Sequence, residues 1–200
     1  MVESLTPMDQ AIWVAKSLFD RGKTSGSTAN LSFRHQDGIY ITGSGTCFGF
    51  LTPDSFALID ETGAHAGDIA PSKEYPLHTA LYKQRPNIQA IIHTHSFYSV
   101  LWSCLPHENH QDVIPAYTPY LRMRLGSVCL VPYAPPGSEE LFALFSERIS
   151  NTNGYLLANH GPIAGGSDIL SAFYALEEFE EGARIAWSLR NESSANTITL

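Results

Sequence analysis

The chain has 200 residues, 44% of them hydrophobic, and a formal net charge of −8 at pH 7, which suits one ordinary domain with enough volume for a real core. The acidic balance argues against a general nucleic-acid or membrane-surface role, because those partners are met by a basic face, but a small phosphorylated substrate held by a few local groups stays open. Cys47, Cys104 and Cys129 form no CxxC pair, the start does not read as a secretory leader, and no stretch of about eighteen apolar residues occurs. A soluble cytoplasmic protein with reduced thiols is the expectation.

From the N-terminus, Ile12, Ala15, Leu18 and Phe19 recur at three- and four-residue spacing, predicting an amphipathic helix over Met8 to Arg21 that Gly22 ends. GKTSGSTANLSFR then passes from a small polar loop into a strand, and the turn at Asp37-Gly38 leads to a second strand, Ile39 to Thr42, in a hairpin. Gly43-Ser44-Gly45 breaks that strand, Thr52-Pro53-Asp54 reads as a short helix start, and a further strand covers Phe56 to Asp60. A helix running from Ser72-Lys73-Glu74 to Gln84 would bury Leu77, Ala80 and Leu81 and hold Glu74 in its first turn.

Next come a strand ending in AIIHTH, a helix from Phe97 to Leu105, an irregular stretch to Arg124, a strand from Val128 to Val131 and a helix after Pro136-Gly137-Ser138. Tyr155 to Ala158 reads as a buried strand leading into NHG. Ile169, Ala172, Leu176, Phe179, Ala183 and Ala186 form one stripe of a long final helix, Ser167 to Arg190. A single domain over 1–190 and a flexible tail over 191–200 are expected.

The chemistry concentrates in the histidines. Side chains alternate along a strand, so His93 and His95 fall on one side with Thr94 turned away. A lone histidine at a strand end is usually a hydrogen-bonded rim residue. Two converging imidazoles joined by His160 from another strand end instead make a three-ligand metal site with an open position, suited to zinc acting as a Lewis acid. His107 and His110 read as surface residues, and His35, His65 and His78 have no convergent partners, although His78 lies one helical turn from Glu74.

Three loops suit an anion: Ser25 to Asn30, Thr42 to Gly45, and Pro71-Ser72-Lys73 at a helix start. Each is expected to offer free backbone N–H groups and small hydroxyls, and Lys73 adds a positive charge. Glu74 beside such a loop could take up a proton, or ligate a metal until substrate displaces it.

GSTANLS, ITGSG, PSKEYPLH, HTHSF and ANHGPIAGG occur in the order and at the separations of the class II aldolase/adducin family, which the chain resembles over residues 8 to 190. The resemblance implies an α/β fold in αβα layers, its central, mostly antiparallel sheet flanked by helices. It also implies a divalent metal, usually zinc, and a four-fold homotetramer with active sites at subunit interfaces. Carried over by position, the metal ligands fall on His93, His95 and His160 and the catalytic glutamate on Glu74. The phosphate pocket falls on Ala29, Asn30, Ser44, Gly45, Ser72 and Lys73. Tyr120 matches a tyrosine supplied by the neighbouring subunit as general acid.

Two positions depart from the sugar-phosphate aldolases: Ser72-Lys73 replaces two serines, and Ala29 replaces the usual glycine. With TPYLRMRLGSVCLVPY, the PSKE variant is most similar to the 3-oxo-tetronate 4-phosphate decarboxylase subgroup. That implies zinc-dependent conversion of a phosphorylated sugar acid to dihydroxyacetone phosphate and carbon dioxide, through an enediolate whose charge the metal stabilises. An aldolase of the fuculose-phosphate type or an epimerase would use the same intermediate. An adducin-like interaction module is the third alternative, and the metal triad speaks against it.

Overall fold

Local signals set the first elements of the computed structural model, which describes residues 2–60 and 62–199. Helix α1 (Pro7–Asp20) starts behind Thr6, whose hydroxyl accepts the Asp9 amide at 3.2 Å, and Pro7 sits where no amide donor is needed. Gly22, beyond its end, takes φ +66°. The predicted hairpin is β1 (Asn30–His35) with β2 (Gly38–Thr42). Then follow β3 (Phe56–Ile59), β4 (His65–Ala66), α2 (Tyr75–Gln84), β5 (Ala90–His93), α3 (Phe97–Ser103), α4 (Pro119–Leu125), β6 (Val128–Val131), α5 (Glu139–Arg148), β7 (Gly154–Leu157), β8 (Gly161–Gly166) and α6 (Ile169–Leu189).

The strands form one sheet in the order β4-β3-β2-β1-β5-β8-β7-β6, antiparallel except for β6 with β7. Alternation along the strands divides the core in two. Leu31, Phe33, Ala90, Ile92 and Leu156 pack with α1, α3, α4 and α6, while Ile41, Ile91, Tyr155 and Ile163 pack with Leu77 and Leu81 of α2 and with Leu141 and Phe145 of α5. The result is the expected αβα sandwich with a mostly antiparallel sheet. Among the described residues no helix is long and apolar enough to cross a membrane.

Several local expectations change. The stretch before Arg124 is not wholly irregular: Pro119 starts α4 and Gly126, at φ +76°, ends it, but seven residues are too few to show a helical period. Glu74 is the residue preceding α2 rather than part of its first turn, and Ala80 is only partly buried. Strand β8 lies in the glycine-rich GPIAGG, which carries no strand-like composition. Its glycines answer close approach, since a Cβ on Gly166 would stand 2.2 Å from the Ala172 amide of α6. In the expected tail, Ile198 donates its amide to the Ala116 carbonyl at 2.8 Å. Leu200 lies outside the described residues.

Candidate metal centre

Sheet register assembles the site. Strand β5 lies between β1 and β8 and is antiparallel to both, with Asn30 opposite His93 on one side and Ile163 opposite His93 on the other. The end of β5, the start of β1 and the β7–β8 turn therefore meet at one edge. Ile91 faces the α2 side of the sheet, so His93, two residues on, faces α2 as well. His95 lies past the strand end, and its ring still comes to 5.1 Å from that of His93.

The β7–β8 turn delivers the third imidazole. Asn159 takes φ +54°, a left-handed conformation that asparagine tolerates, and its amide is held by the Ser103 carbonyl at 3.1 Å. The turn thereby sets the His160 ring 4.9 Å from His93 and 4.8 Å from His95. One potential ligand atom from each of these three histidines lies within 4.8 Å of the other two.

Their protonation suits a cation. His93 Nδ1 donates to the Pro162 carbonyl at 2.9 Å, which leaves Nε2 as the lone-pair atom. Burial and the neighbouring imidazoles push His93 and His160 down to about 3, and burial lowers His95 against the pull of Glu74. His93 Nε2 and His95 Nε2 are buried without a hydrogen-bond partner. Neutral imidazoles with orphaned, inward nitrogens are the donor set of a divalent cation, and these residues fit the metal that the sequence implies.

Glu74 reaches the same point from the turn before α2. Its Oε2 lies 3.4 Å from His93 Nε2 and its Oε1 3.5 Å from His160 Nε2. Asn30 donates Nδ2 to Oε2 at 2.9 Å, whereas Oε1 has no hydrogen-bond partner. Behind Asn30, His78 Nε2 lies 2.6 Å from Asn30 Oδ1, and His78 Nδ1 lies 2.7 Å from the Ser32 hydroxyl. Ser32 also meets the Tyr82 hydroxyl at 2.8 Å. Burial pushes His78 down to about 3 and raises Tyr82 above its ordinary value, so the ring is neutral and the phenol keeps its proton.

His78 therefore does have partners. Two patterns in the sequence could have located them: Asn30 and Ser32 lie two apart on one strand face, and Glu74, His78 and Tyr82 lie four apart on one helical stripe.

The loops expected to bind an anion are tied to one another. Gly43 bridges to Pro71, Ser44 donates its amide to Ala70 at 2.8 Å, and Ser72 donates its amide to Thr42 at 3.0 Å. The amides of Ser44 and Ser72 are thus occupied, contrary to the expectation that they are free. Ser44 and Gly45 stay exposed, Lys73 projects beside Gly137, and Ala29 is buried next to Asn30. Tyr120 is 58% exposed on α4, in the layer across the sheet from α2. His107 hydrogen-bonds the Trp102 carbonyl at 2.9 Å and His110 is exposed, so neither joins the triad. Glu180, which the sequence did not flag, reaches from α6 to accept the amides of Tyr98 and Ser99 just after the HTH segment.

Residues 9–187 match the family described as Class II Aldolase and Adducin N-terminal domain. The chain is 38% identical to the 3-oxo-tetronate 4-phosphate decarboxylase of Escherichia coli K12, covering 88% of this chain and 84% of that protein. It is 32% identical to an L-fuculose phosphate aldolase of Methanococcus maripaludis, covering 92% and 98%. The crystal structure of YgbL from Escherichia coli superposes with a TM-score of 0.91 at 34% identity, covering 96% of this chain and 93% of that one.

Proposed function

This chain belongs to the class II aldolase and adducin family and is a lyase of that class, and from that premise we propose that it decarboxylates a 3-oxo-tetronate 4-phosphate to dihydroxyacetone phosphate. The observation that carries this reading is the convergence of His93, His95, His160 and Glu74 in a chain 38% identical to a decarboxylase of that name. A divalent cation, zinc by preference, held by the three histidines would polarise the substrate oxygens and stabilise the negative charge that develops there.

In the reaction the bond between the carboxylate carbon and C2 breaks, carbon dioxide leaves, and the electron pair passes into an enediolate across C2 and C3. C2 then takes up one proton. Glu74 is the proton-handling group, because its Oε1 is free of other partners at the mouth of the triad. The Ser44-Gly45 loop and Ser72, with Ala29 and Asn30, would hold the phosphate, and Lys73 would meet the substrate carboxylate. Its charge stands one residue from Glu74 and makes no ion pair among the described residues. Tyr120 would act from a neighbouring copy in a four-fold tetramer, since its own chain places it in the opposite layer. Three free cysteines support a cytoplasmic setting.

The 32% identity to a fuculose-phosphate aldolase supports one second reading, aldol cleavage at the same site. Two assays separate them. The decarboxylase reading predicts turnover of 3-oxo-tetronate 4-phosphate without an aldehyde and no condensation of dihydroxyacetone phosphate with lactaldehyde. Efficient condensation without decarboxylation would reverse the order.

A further inference from the structure

The hydrogen bonds behind Glu74 can be directed only one way. Asn30 presents its NH2 to Glu74 Oε2 at 2.9 Å, so its Oδ1 must accept from His78 Nε2 at 2.6 Å. With the single proton of the neutral ring on Nε2, His78 Nδ1 accepts from the Ser32 hydroxyl at 2.7 Å. Having donated to His78, Ser32 accepts from the Tyr82 hydroxyl at 2.8 Å. Turned over, the Asn30 amide would set its oxygen against the Glu74 carboxylate, and every bond behind it would have to reverse.

Asn30, Ser32, His78 and Tyr82 are each 4% exposed or less. Aliphatic side chains would fill this gap between β1 and α2 without the desolvation cost of four polar groups, a cost offset only while every member is bonded. The relay ends on the Glu74 carboxylate, which faces His93 Nε2 and His160 Nε2, and it holds only Oε2 of that carboxylate.

We propose that Tyr82, Ser32 and His78 are positioning residues, a one-way relay that fixes the Asn30 amide and through it the aim of Glu74 between His93 and His160. The inference rests on the assignment of Glu74 as the proton-handling group. Its physical basis is that of the partners which orient metal ligands from behind, whose loss lowers activity without touching substrate.

The test combines a spectrum with kinetics on the metal-loaded protein. In 15N-histidine NMR, with His78 assigned by comparison with His78→Gln, the relay requires a protonated Nε2 and an unprotonated Nδ1. A ring protonated on Nδ1 instead would overturn it. Tyr82→Phe and Ser32→Ala, each checked for fold and for metal content equal to wild type, should lower kcat by about 10–100-fold with KM within about twofold. An unchanged kcat in both variants, or a change confined to KM, would reduce these residues to packing and overturn the proposal. If wild-type protein fails to turn over the sugar-acid phosphate, the functional reading falls, while the His78 spectrum still decides the relay.

Discussion

Gly161 lies so close to Thr94 that a Cβ on it would stand 2.4 Å from the Thr94 carbonyl oxygen. That contact lets the turn carrying His160 close against the segment carrying His93 and His95, so the last residue of NHG is a spacing requirement of the triad. Gly161→Ala must push the two segments apart. We expect zinc affinity to fall by about 10-fold or more, the scale seen when the groups that orient ligands are disturbed. Competition with a chromogenic chelator measures it, and wild-type affinity would contradict the role assigned to this contact.

Glu180 anchors the start of α3. Its carboxylate accepts from the Tyr98 amide at 3.1 Å, the Ser99 amide at 2.9 Å and the Ser99 hydroxyl at 2.8 Å. Glu180→Ala leaves three donors without this partner, two of them on the buried Ser99, and should cost about 3 kcal/mol. In a chain of this size that is a fall in Tm of about 6–12 °C. A Tm within about 2 °C of wild type, on the same scale, would show that water replaces the carboxylate.

The buried histidines make stability depend on pH in a definite sense. Burial, with the field of His93, pushes His78 down to about 3 from an ordinary 6.5, so between those values the unfolded chain binds a proton that the folded chain refuses. Stability is therefore fully present above pH 6.5 and falls as the pH drops towards 3, by up to about 1.4 kcal/mol per pH unit for this one ring. Urea unfolding of the metal-free protein at pH 7.5, 6 and 5 should show the decline, with a shallower one in His78→Gln. Equal slopes in the two proteins would remove His78 as a source.

Lys73 is exposed, with no ion pair among the described residues. If its charge meets the substrate carboxylate, Lys73→Ala loses one charge-assisted contact, worth about 1.5–3 kcal/mol. KM for the sugar-acid phosphate should then rise at least about tenfold at unchanged zinc content. A KM near wild type would move carboxylate recognition elsewhere.

What could be read in advance follows from how each signal is encoded. The hairpin, the long final helix and the HTH strand carry periodic patterns or turn chemistry, and all three formed near the expected bounds. The triad was legible because His93 ends one apolar run with His95 two residues on, and His160 follows closely on another. Strand β8 and helix α4 were not. The first is built on glycines set by close approach to Thr94, to Ile88 and to α6, and the second is too short for a period. The relay through Ser32, His78 and Tyr82 joins residues 46 and 50 positions apart in the chain, so the strand pattern and the helix pattern each show one half of it and the packing of β1 against α2 joins them. The amides of Ser44 and Ser72 looked free because a loop composition does not say which carbonyl a neighbouring loop will offer.

Carbon dioxide release from 3-oxo-tetronate 4-phosphate by the metal-free protein, titrated with zinc, beside His95→Ala, tests most directly whether the three histidines are the seat of the chemistry. No release is expected before metal is added, then release rising to a plateau at one zinc per chain with one dihydroxyacetone phosphate per carbon dioxide, and none from His95→Ala. Release that persists in excess chelator, or that survives in His95→Ala, would contradict the assignment of the three histidines as the seat of the chemistry.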